Sequence, residues 1–437
     1  MLVAAGYTPI KETCSFASTL VPGGKYFYTR NSSALIAFSI GSAYKSGNPF
    51  AIIGTHSDSP CLKVRPVSKK EKCGFLQVGV ELYGGGLWHT WFDRDLGLAG
   101  RVMVEQPDGK LVQSLVRVSR PILRIPTLAI HLTKDRDSFT FNRETHLTPV
   151  LGQVVADELN KPAQEPDTAW PTGYMENHHS VLLDIVAKEL GVAVESIRDF
   201  ELCLYDTQAP CLGGAQNEFV HSARLDNLGM SFCALEALIN SKGLDTEESI
   251  RMVAIFDNEE IGSTSAPGAD GNLLDAAVRR ISSVPMGGAS ATASFDTAML
   301  RSMLISADMA HAIHPNYMEK HEELHRPKMN GGVVIKQNAN QRYATNSVTS
   351  LVLKEAAKVC GQVLQEFVVR NDSPCGSTIG PMLSAKLGMR TIDVGNPQWS
   401  MHSIRETCGS QDVEKAIVLF TAWFENYSKI SARIVVD

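Results

Sequence analysis

Short apolar runs recur along the chain, and each gives way to a polar loop. Phe50-Ala51-Ile52-Ile53-Gly54 leads into Thr55-His56-Ser57-Asp58. Arg251-Met252-Val253-Ala254-Ile255-Phe256 leads into Asp257-Asn258-Glu259-Glu260, and Ser302-Met303-Leu304-Ile305-Ser306 into Ala307-Asp308. Thr391-Ile392-Asp393-Val394-Gly395 leads into Asn396-Pro397 and then Met401-His402. Strands that are apolar without alternation predict a sheet buried on both faces. Between them, Leu228, Phe232, Leu235 and Ile239 follow Asp226 at a spacing that predicts one apolar helix face. Residues 350–366 read as a second helix. Strands alternating with helices predict an α/β fold, a three-layer α/β/α sandwich with helices on both faces of the sheet.

The pattern changes between residues 63 and 210. Val78-Gly79-Val80, Arg101-Val102-Met103-Val104 and Leu115-Val116-Arg117-Val118 are short strands set off by Gly, Pro and Asp turns. Pro121, Pro126 and the stretch from Pro162 to Pro171 punctuate the rest. This predicts a β-rich domain (63–210) inserted into a discontinuous α/β domain made of residues 1–62 and 211–437. No internal repeat or low-complexity tract is present.

Composition narrows the class. Of 437 residues, 44% are hydrophobic and 20% charged, which suits a globular chain and not a disordered one. The net charge of −6, with no basic run longer than Lys69-Lys70, argues against nucleic acid and anionic membrane surfaces as partners. No apolar run approaches the ~18 residues a bilayer span needs. Met1-Leu2-Val3-Ala4-Ala5 has neither the basic flank nor the length of a signal peptide. The nine cysteines are scattered and form no C-x-x-C pair, as expected of reduced thiols. These features predict a cytoplasmic protein.

The strand ends carry the candidate chemistry. His56, Asp58, Glu259, Glu260, Asp308 and His402 follow apolar runs, and Asp226 opens a helix. Ligands in open α/β sheets bind beyond the carboxyl ends of the strands. Two histidines and several carboxylates suit zinc or a similar divalent ion. Two ions about 3.5–4 Å apart need one bridging carboxylate and two further ligands each, a count that five residues satisfy. In Glu259-Glu260, adjacent side chains point apart, so one can bind metal while the other acts as general base. Asp58, two residues after His56, is placed to orient the imidazole. Each residue alone also has a plainer meaning: Asp226 a helix N-cap, Glu259-Glu260 a solvated face, His56 a loop residue.

Five segments together resemble motifs of the aspartyl aminopeptidase family. They are Thr55-His56-Ser57-Asp58-Ser59-Pro60-Cys61-Leu62, Ala223-Arg224-Leu225-Asp226-Asn227, Asp257-Asn258-Glu259-Glu260-Ile261-Gly262-Ser263, Ser306-Ala307-Asp308-Met309-Ala310-His311 and Met401-His402-Ser403-Ile404-Arg405-Glu406. Gly84-Gly85-Gly86-Leu87-Trp88, Trp91-Phe92-Asp93-Arg94-Asp95 and Asn371-Asp372-Ser373-Pro374-Cys375-Gly376 match as well, in the same order over nearly the whole chain. The resemblance implies a cocatalytic dizinc exopeptidase of the M18 type that removes N-terminal Asp or Glu from peptides. It implies two Zn2+ per subunit, with Mn2+ or Co2+ as substitutes. One ion falls to His56, Asp226 and Asp308, the other to Asp226, Glu260 and His402. Glu259 matches the general base and Asp58 the orienting acid. The insert would be a dimerisation domain, and the assembly a homo-oligomer, a tetrahedral dodecamer built from dimers. His131 matches a histidine that reaches into a neighbouring subunit's site. Lys336 and Tyr343 match a pocket for the acidic side chain, where a cation or strong donors are needed. Without the resemblance, Lys336 reads as an ordinary surface lysine. Family members usually carry an additional helix ahead of the point where this sequence starts, which bears on N-terminal packing and on assembly.

Two other families of reading compete. His321-Glu322-Glu323-Leu324-His325 has the form H-E-x-x-H, but Pro315 and Pro327 bracket it and its surroundings are polar on every side, which opposes a buried metal helix. There is no G-x-S-x-G elbow, Walker A loop or dinucleotide fingerprint. Within the enzyme class, the alternative is a related dizinc aminopeptidase or deacylase of neutral or mixed specificity. Outside it, the alternative is a non-catalytic assembly.

Overall fold

A computed structural model describes residues 1–134, 136–159, 176–287 and 291–436. The expected loop from Pro162 to Pro171 lies outside the described residues. The described chain divides into two compact units.

The larger unit comprises residues 1–59, 211–401 and 406–437. Its nine-stranded sheet has the order Thr8–Pro9, Lys25–Arg30, Ala34–Ile40, Ile250–Phe256, Phe50–His56, Met303–Ala307, Arg390–Gly395, Val334–Gln337 and Gln365–Val368. The central strands Ile250–Phe256, Phe50–His56, Met303–Ala307 and Arg390–Gly395 are mutually parallel. All four apolar runs identified in the sequence are these strands, and their side chains are almost all buried.

Successive residues of a strand point to opposite faces, so each strand feeds two cores. Ile53, Val253 and Ile305 join Met230, Ala234, Leu353, Phe420 and Trp423 on one face. Ile52, Met252 and Leu304 join Leu273, Ala277 and Leu383 on the other. Helices Leu225–Asn240, Ser347–Cys360 and Ser410–Ser431 cover the first face; Leu273–Ser282 and Ile379–Leu387 contribute to the second. The mixed α/β sandwich expected from the alternation is the one found. A separate five-stranded sheet, ordered Cys211–Gly213, Phe219–Ser222, Glu406–Gly409, Pro397–Trp399 and Ala310–His311, lies in the same unit.

Two helix expectations need correction. Helix Leu225–Asn240 turns Leu228 and Phe232 outward and buries Met230, Cys233, Ala234, Ala237 and Leu238 instead. Its inner face mixes Met230 and Leu238 with the small Cys233, Ala234 and Ala237, and Leu235 and Ile239 of the expected face pack against the same core. The other helix is Ser347–Cys360 and not 350–366. Asn346 caps its start by accepting from the amides of Val348 and Thr349, and Thr349 returns the bond. Gly361, at φ +69°, ends it in the left-handed conformation that glycine adopts without penalty, and Gln365–Val368 continues as a strand.

The smaller unit comprises residues 60–210 and 402–405. Its six-stranded sheet has the order Leu111–Leu123, Leu96–Glu105, Ile197–Asp206, Cys61–Lys72, Phe75–Tyr83 and Val150–Gln153. The pairings are antiparallel. Helix Ser180–Leu190 packs Leu182 and Val186 into a core with Leu98, Val118 and Leu202.

Candidate metal centre

Three adjacent parallel strands deliver the site. Phe50–His56 ends on His56, paired in register with Phe256. Past Phe256, Asn258 at φ +63° starts a single helical turn, Glu259–Ile261. On the other side of the Phe50–His56 strand, Met303–Ala307 runs straight into Asp308. Gly395 sits against this point; a Cβ there would collide with the Asp308 carbonyl.

Asp226 arrives from the helix Leu225–Asn240. Its φ/ψ are not helical, the Asp226–Asn227 peptide is cis, and the N-cap position of the helix falls to Arg224. The N-cap meaning is therefore set aside. Surrounding bonds hold its backbone: the Asp226 amide donates to Glu406 Oε2 at 2.9 Å, and Ser59 Oγ donates to the Asp226 carbonyl at 2.6 Å. Asn227 Nδ2 donates to the Ala307 carbonyl, and Ser231 Oγ to the His56 carbonyl, which ties this helix start to both strand ends.

The side chains converge on the His56 imidazole. Nε2 lies 3.4 Å from Asp226 Oδ1, 3.4 Å from Asp308 Oδ1 and 3.8 Å from Glu259 Oε2. Nδ1 lies 3.1 Å from the Asp58 carbonyl and 3.4 Å from Asp58 Oδ1. The Asp58 carboxylate also accepts the amides of Glu259 and Glu260, each at 3.1 Å. Asp58 thus holds two neighbours, the imidazole and the Glu259–Glu260 turn, where the sequence foresaw only the first.

Charge follows from this crowding. Burial opposes the charged form of His56, but hydrogen bonds with Asp226, Asp308 and Asp58 outweigh it and hold its pKa well above 6.5. Burial is the main cause that pushes the Glu259 carboxyl up to about 7; His56 opposes this, and Asp308, Asp226 and Asp58 add to it. Burial works against the Asp308 carboxylate, yet the charge of Lys336 and the His56 bond hold it well below the usual range.

Lys336 is not at the surface. It is 3% exposed on the Val334–Gln337 strand. Its Nζ donates to the Met309 carbonyl at 2.9 Å and to Asp308 Oδ2 at 3.4 Å, and sits 5.3 Å from the centre of the buried Tyr343 ring.

The donor set suits a divalent cation. One ligand atom each from His56, Asp226 and Glu260 lie within 4.8 Å of one another, and so do atoms from His56, Glu259 and Asp308. A buried imidazole among carboxylates is the nitrogen and oxygen chemistry that zinc takes. His402 and His131 belong to the smaller unit. His402, at φ +67°, places Nδ1 3.0 Å from the Gly85 carbonyl. His131 lies in the exposed turn Ile130–Leu132.

The H-E-x-x-H segment forms no helix. His325 Nδ1 meets Glu322 at 2.5 Å, and His321 Nε2 accepts the His314 amide. Sequence reasoning gave Glu406 no task, although it is buried and holds the Asp226 amide; no local spacing links residues 180 positions apart.

The family model described as aminopeptidase I zinc metalloprotease (M18) matches residues 1–424. The chain belongs to the M18 family of zinc aminopeptidases. The motifs read in the sequence lead to the same family. An Aspergillus oryzae protein called aspartyl aminopeptidase is 54% identical, covering 100% of this chain and 93% of its own. Aspartyl aminopeptidase 4 of Saccharomyces cerevisiae is 48% identical over 100% of this chain and 91% of its own. Among solved structures, a cryo-EM structure of an Ape4–Nbr1 complex matches with a TM-score of 0.94 at 50% identity, covering 100% of this chain and 82% of that one. The S. cerevisiae mApe1 dodecamer matches with a TM-score of 0.87 at 30% identity, over 99% and 92%. This M18 chain is accordingly an aminopeptidase, a hydrolase of the zinc metalloprotease class. Among the described residues, no helix is long and apolar enough to cross a membrane.

Proposed function

We propose that this aminopeptidase removes N-terminal Asp or Glu from peptides with two zinc ions per subunit. The observation that carries the reading is the meeting of His56, Asp226, Asp308 and Glu259 at the strand ends, beside a buried lysine. His56, Asp226 and Asp308 would hold one ion; Asp226, Glu260 and His402 would hold the other. Bound there, the ions supply Lewis acidity, which polarises a carbonyl and acidifies water.

The chain's own groups do the rest. Glu259 takes the proton of the attacking water and passes it to the leaving amine, work for which a carboxyl poised near neutrality is suited. Asp58 fixes both His56 and the turn that carries Glu259. Lys336 and Tyr343 receive the acidic side chain; a buried ammonium is the natural partner for it. His131 would complete the site of a neighbouring subunit. The smaller unit would serve as the dimerisation domain of a cytoplasmic homo-oligomer. The dodecamer formed by a solved relative supports a homo-oligomer, whose form would be a tetrahedral dodecamer built from dimers.

Glu259→Gln tests the chemistry. It should keep zinc and lose turnover by about 10²–10⁴-fold. A panel of substrates differing only in the first residue tests specificity: Asp and Glu should lead, and equal rates with Leu and Ala would overturn it.

A further inference from the structure

Between Ile392 and Val394, in the strand Arg390–Gly395, sits a carboxylate that the mechanism above does not use. Asp393 is fully buried, 0% exposed. A carboxylate buried this way costs stability unless donors surround it, and an apolar residue would build the same strand. Register places Asp393 beside the site. Its partners on the two neighbouring strands are Lys336 and Ser306, so the three side chains share one face of the sheet. Ser306 lies two residues before Asp308, and side chains two apart along a strand point the same way. The Asp308 amide continues the ladder by donating to the Val394 carbonyl at 2.8 Å. Asp393 therefore stands one side-chain step beneath Asp308 and next to Lys336.

Its bonds lead to the wall of the proposed pocket. Asp393 Oδ2 accepts the Ala344 amide at 2.6 Å, and the Asp393 amide donates to Thr345 Oγ1 at 3.0 Å. Ala344 and Thr345 directly follow Tyr343, whose ring centre lies 5.3 Å from Lys336 Nζ. The next residue, Asn346, caps the helix Ser347–Cys360, so the chain leaving Tyr343 is held at three consecutive positions. The other carboxylate oxygen faces elsewhere. Thr378 Oγ1 donates to Asp393 Oδ1 at 2.5 Å, and the same hydroxyl caps the helix Ile379–Leu387. Gly380 leaves room for this arrangement, because a Cβ there would collide with the Asp393 carboxylate. One oxygen thus serves the Tyr343 segment and the other a helix start.

We propose that Asp393 is the positioning residue of the first-residue pocket: it anchors Ala344 and Thr345, and through them sets Tyr343 against Lys336. The inference rests on the reading above, in which Lys336 and Tyr343 receive the first side chain. In this role Asp393 touches neither substrate nor ion and acts through the backbone it holds. A wall fixed beforehand binds without the cost of ordering it on each encounter. Loss of the anchor is therefore felt where the first residue binds, and not in the proton transfer at Glu259.

The test compares zinc-loaded wild type with Asp393→Asn, Thr345→Val, Thr345→Ser and Thr378→Val on Asp-Ala-Ala and Ala-Ala-Ala. Asp393→Asn leaves one side-chain acceptor for two donors, and Thr345→Val removes the hydroxyl on the Tyr343 side. Each should raise KM for Asp-Ala-Ala about tenfold at similar kcat, with a smaller rise for Ala-Ala-Ala. Thr345→Ser keeps the hydroxyl and should match wild type. Thr378→Val cuts the helix side alone, so Tm should fall while KM stays. Should Asp393→Asn fail to fold, the two Thr345 variants carry the test. An unchanged KM in Thr345→Val, a rise in Thr378→Val of the same size, or a fall in kcat alone overturns the proposal. The wild-type rates keep the two readings apart. Were Ala-Ala-Ala cleaved as well as Asp-Ala-Ala, acidic specificity would fall. The positioning role would then be read from KM for Ala-Ala-Ala: the same rise in Thr345→Val, recovered in Thr345→Ser, upholds it, and no rise overturns it.

Discussion

The carboxylate of Asp58 accepts the backbone amide of Glu259 at 3.1 Å, and its second oxygen takes the amide of Glu260 at the same distance. Through this one side chain, the strand ending at His56 grips the turn that follows its neighbour. Removing it should loosen both. Asp58→Ala is expected to lower turnover by about 10- to 100-fold and to weaken zinc binding, the usual cost of losing a group that orients metal ligands. Steady-state rates and zinc retention on dialysis check this. Wild-type values for both would remove Asp58 from the site.

Lys336 answers two carboxylates in this account, Asp308 and the substrate's. Lys336→Met should therefore lower kcat/KM for Asp-headed substrates about 10- to 100-fold relative to Ala-headed ones, in line with the loss of a charge-assisted bond. Because Asp308 also loses its cationic neighbour, the variant should melt at a lower temperature without zinc than wild type does. An unchanged Asp-to-Ala preference would contradict the role given to Lys336.

A pH effect is expected in the smaller unit. Burial pushes His178 down to about 4 from its ordinary 6.5, with Asp199 opposing it in part, while Ser68 Oγ lies 2.8 Å from Nδ1. The unfolded chain then takes up a proton near pH 6.5 that the folded chain accepts only near 4. The neutral histidine's contribution is intact above pH 6.5 and is lost as pH falls from 6.5 through about 4. Tm of wild type and His178→Gln, followed over that window, should draw together as pH falls. Parallel curves would contradict it.

How much of this was legible beforehand depends on the kind of residue. Phe50–His56, Ile250–Phe256, Met303–Ala307 and Arg390–Gly395 were readable because a strand buried on both faces must be apolar throughout. The ligand candidates followed from where those runs stop. Helix Leu225–Asn240 misled in part because Leu228 and Phe232 look outward while Met230, Cys233, Ala234, Ala237 and Leu238 are buried; of the expected face, Leu235 and Ile239 pack against the core. Lys336 and Glu406 were opaque for another reason. A buried charge is tolerable only beside its partner, and those partners, Asp308 and the Asp226 amide, are 28 and 180 residues away. Only the resemblance singled out Lys336, and nothing singled out Glu406.

In the proposed mechanism Asp226 is shared by two ions. Zinc content of purified wild type and Asp226→Asn, measured per chain alongside the His56→Ala and Glu260→Ala variants, tests it most directly. Two zinc ions are expected in wild type, with both lost from Asp226→Asn and one lost first from each of the other two variants. A wild type that binds a single ion, or an Asp226→Asn variant that keeps one firmly, would contradict it.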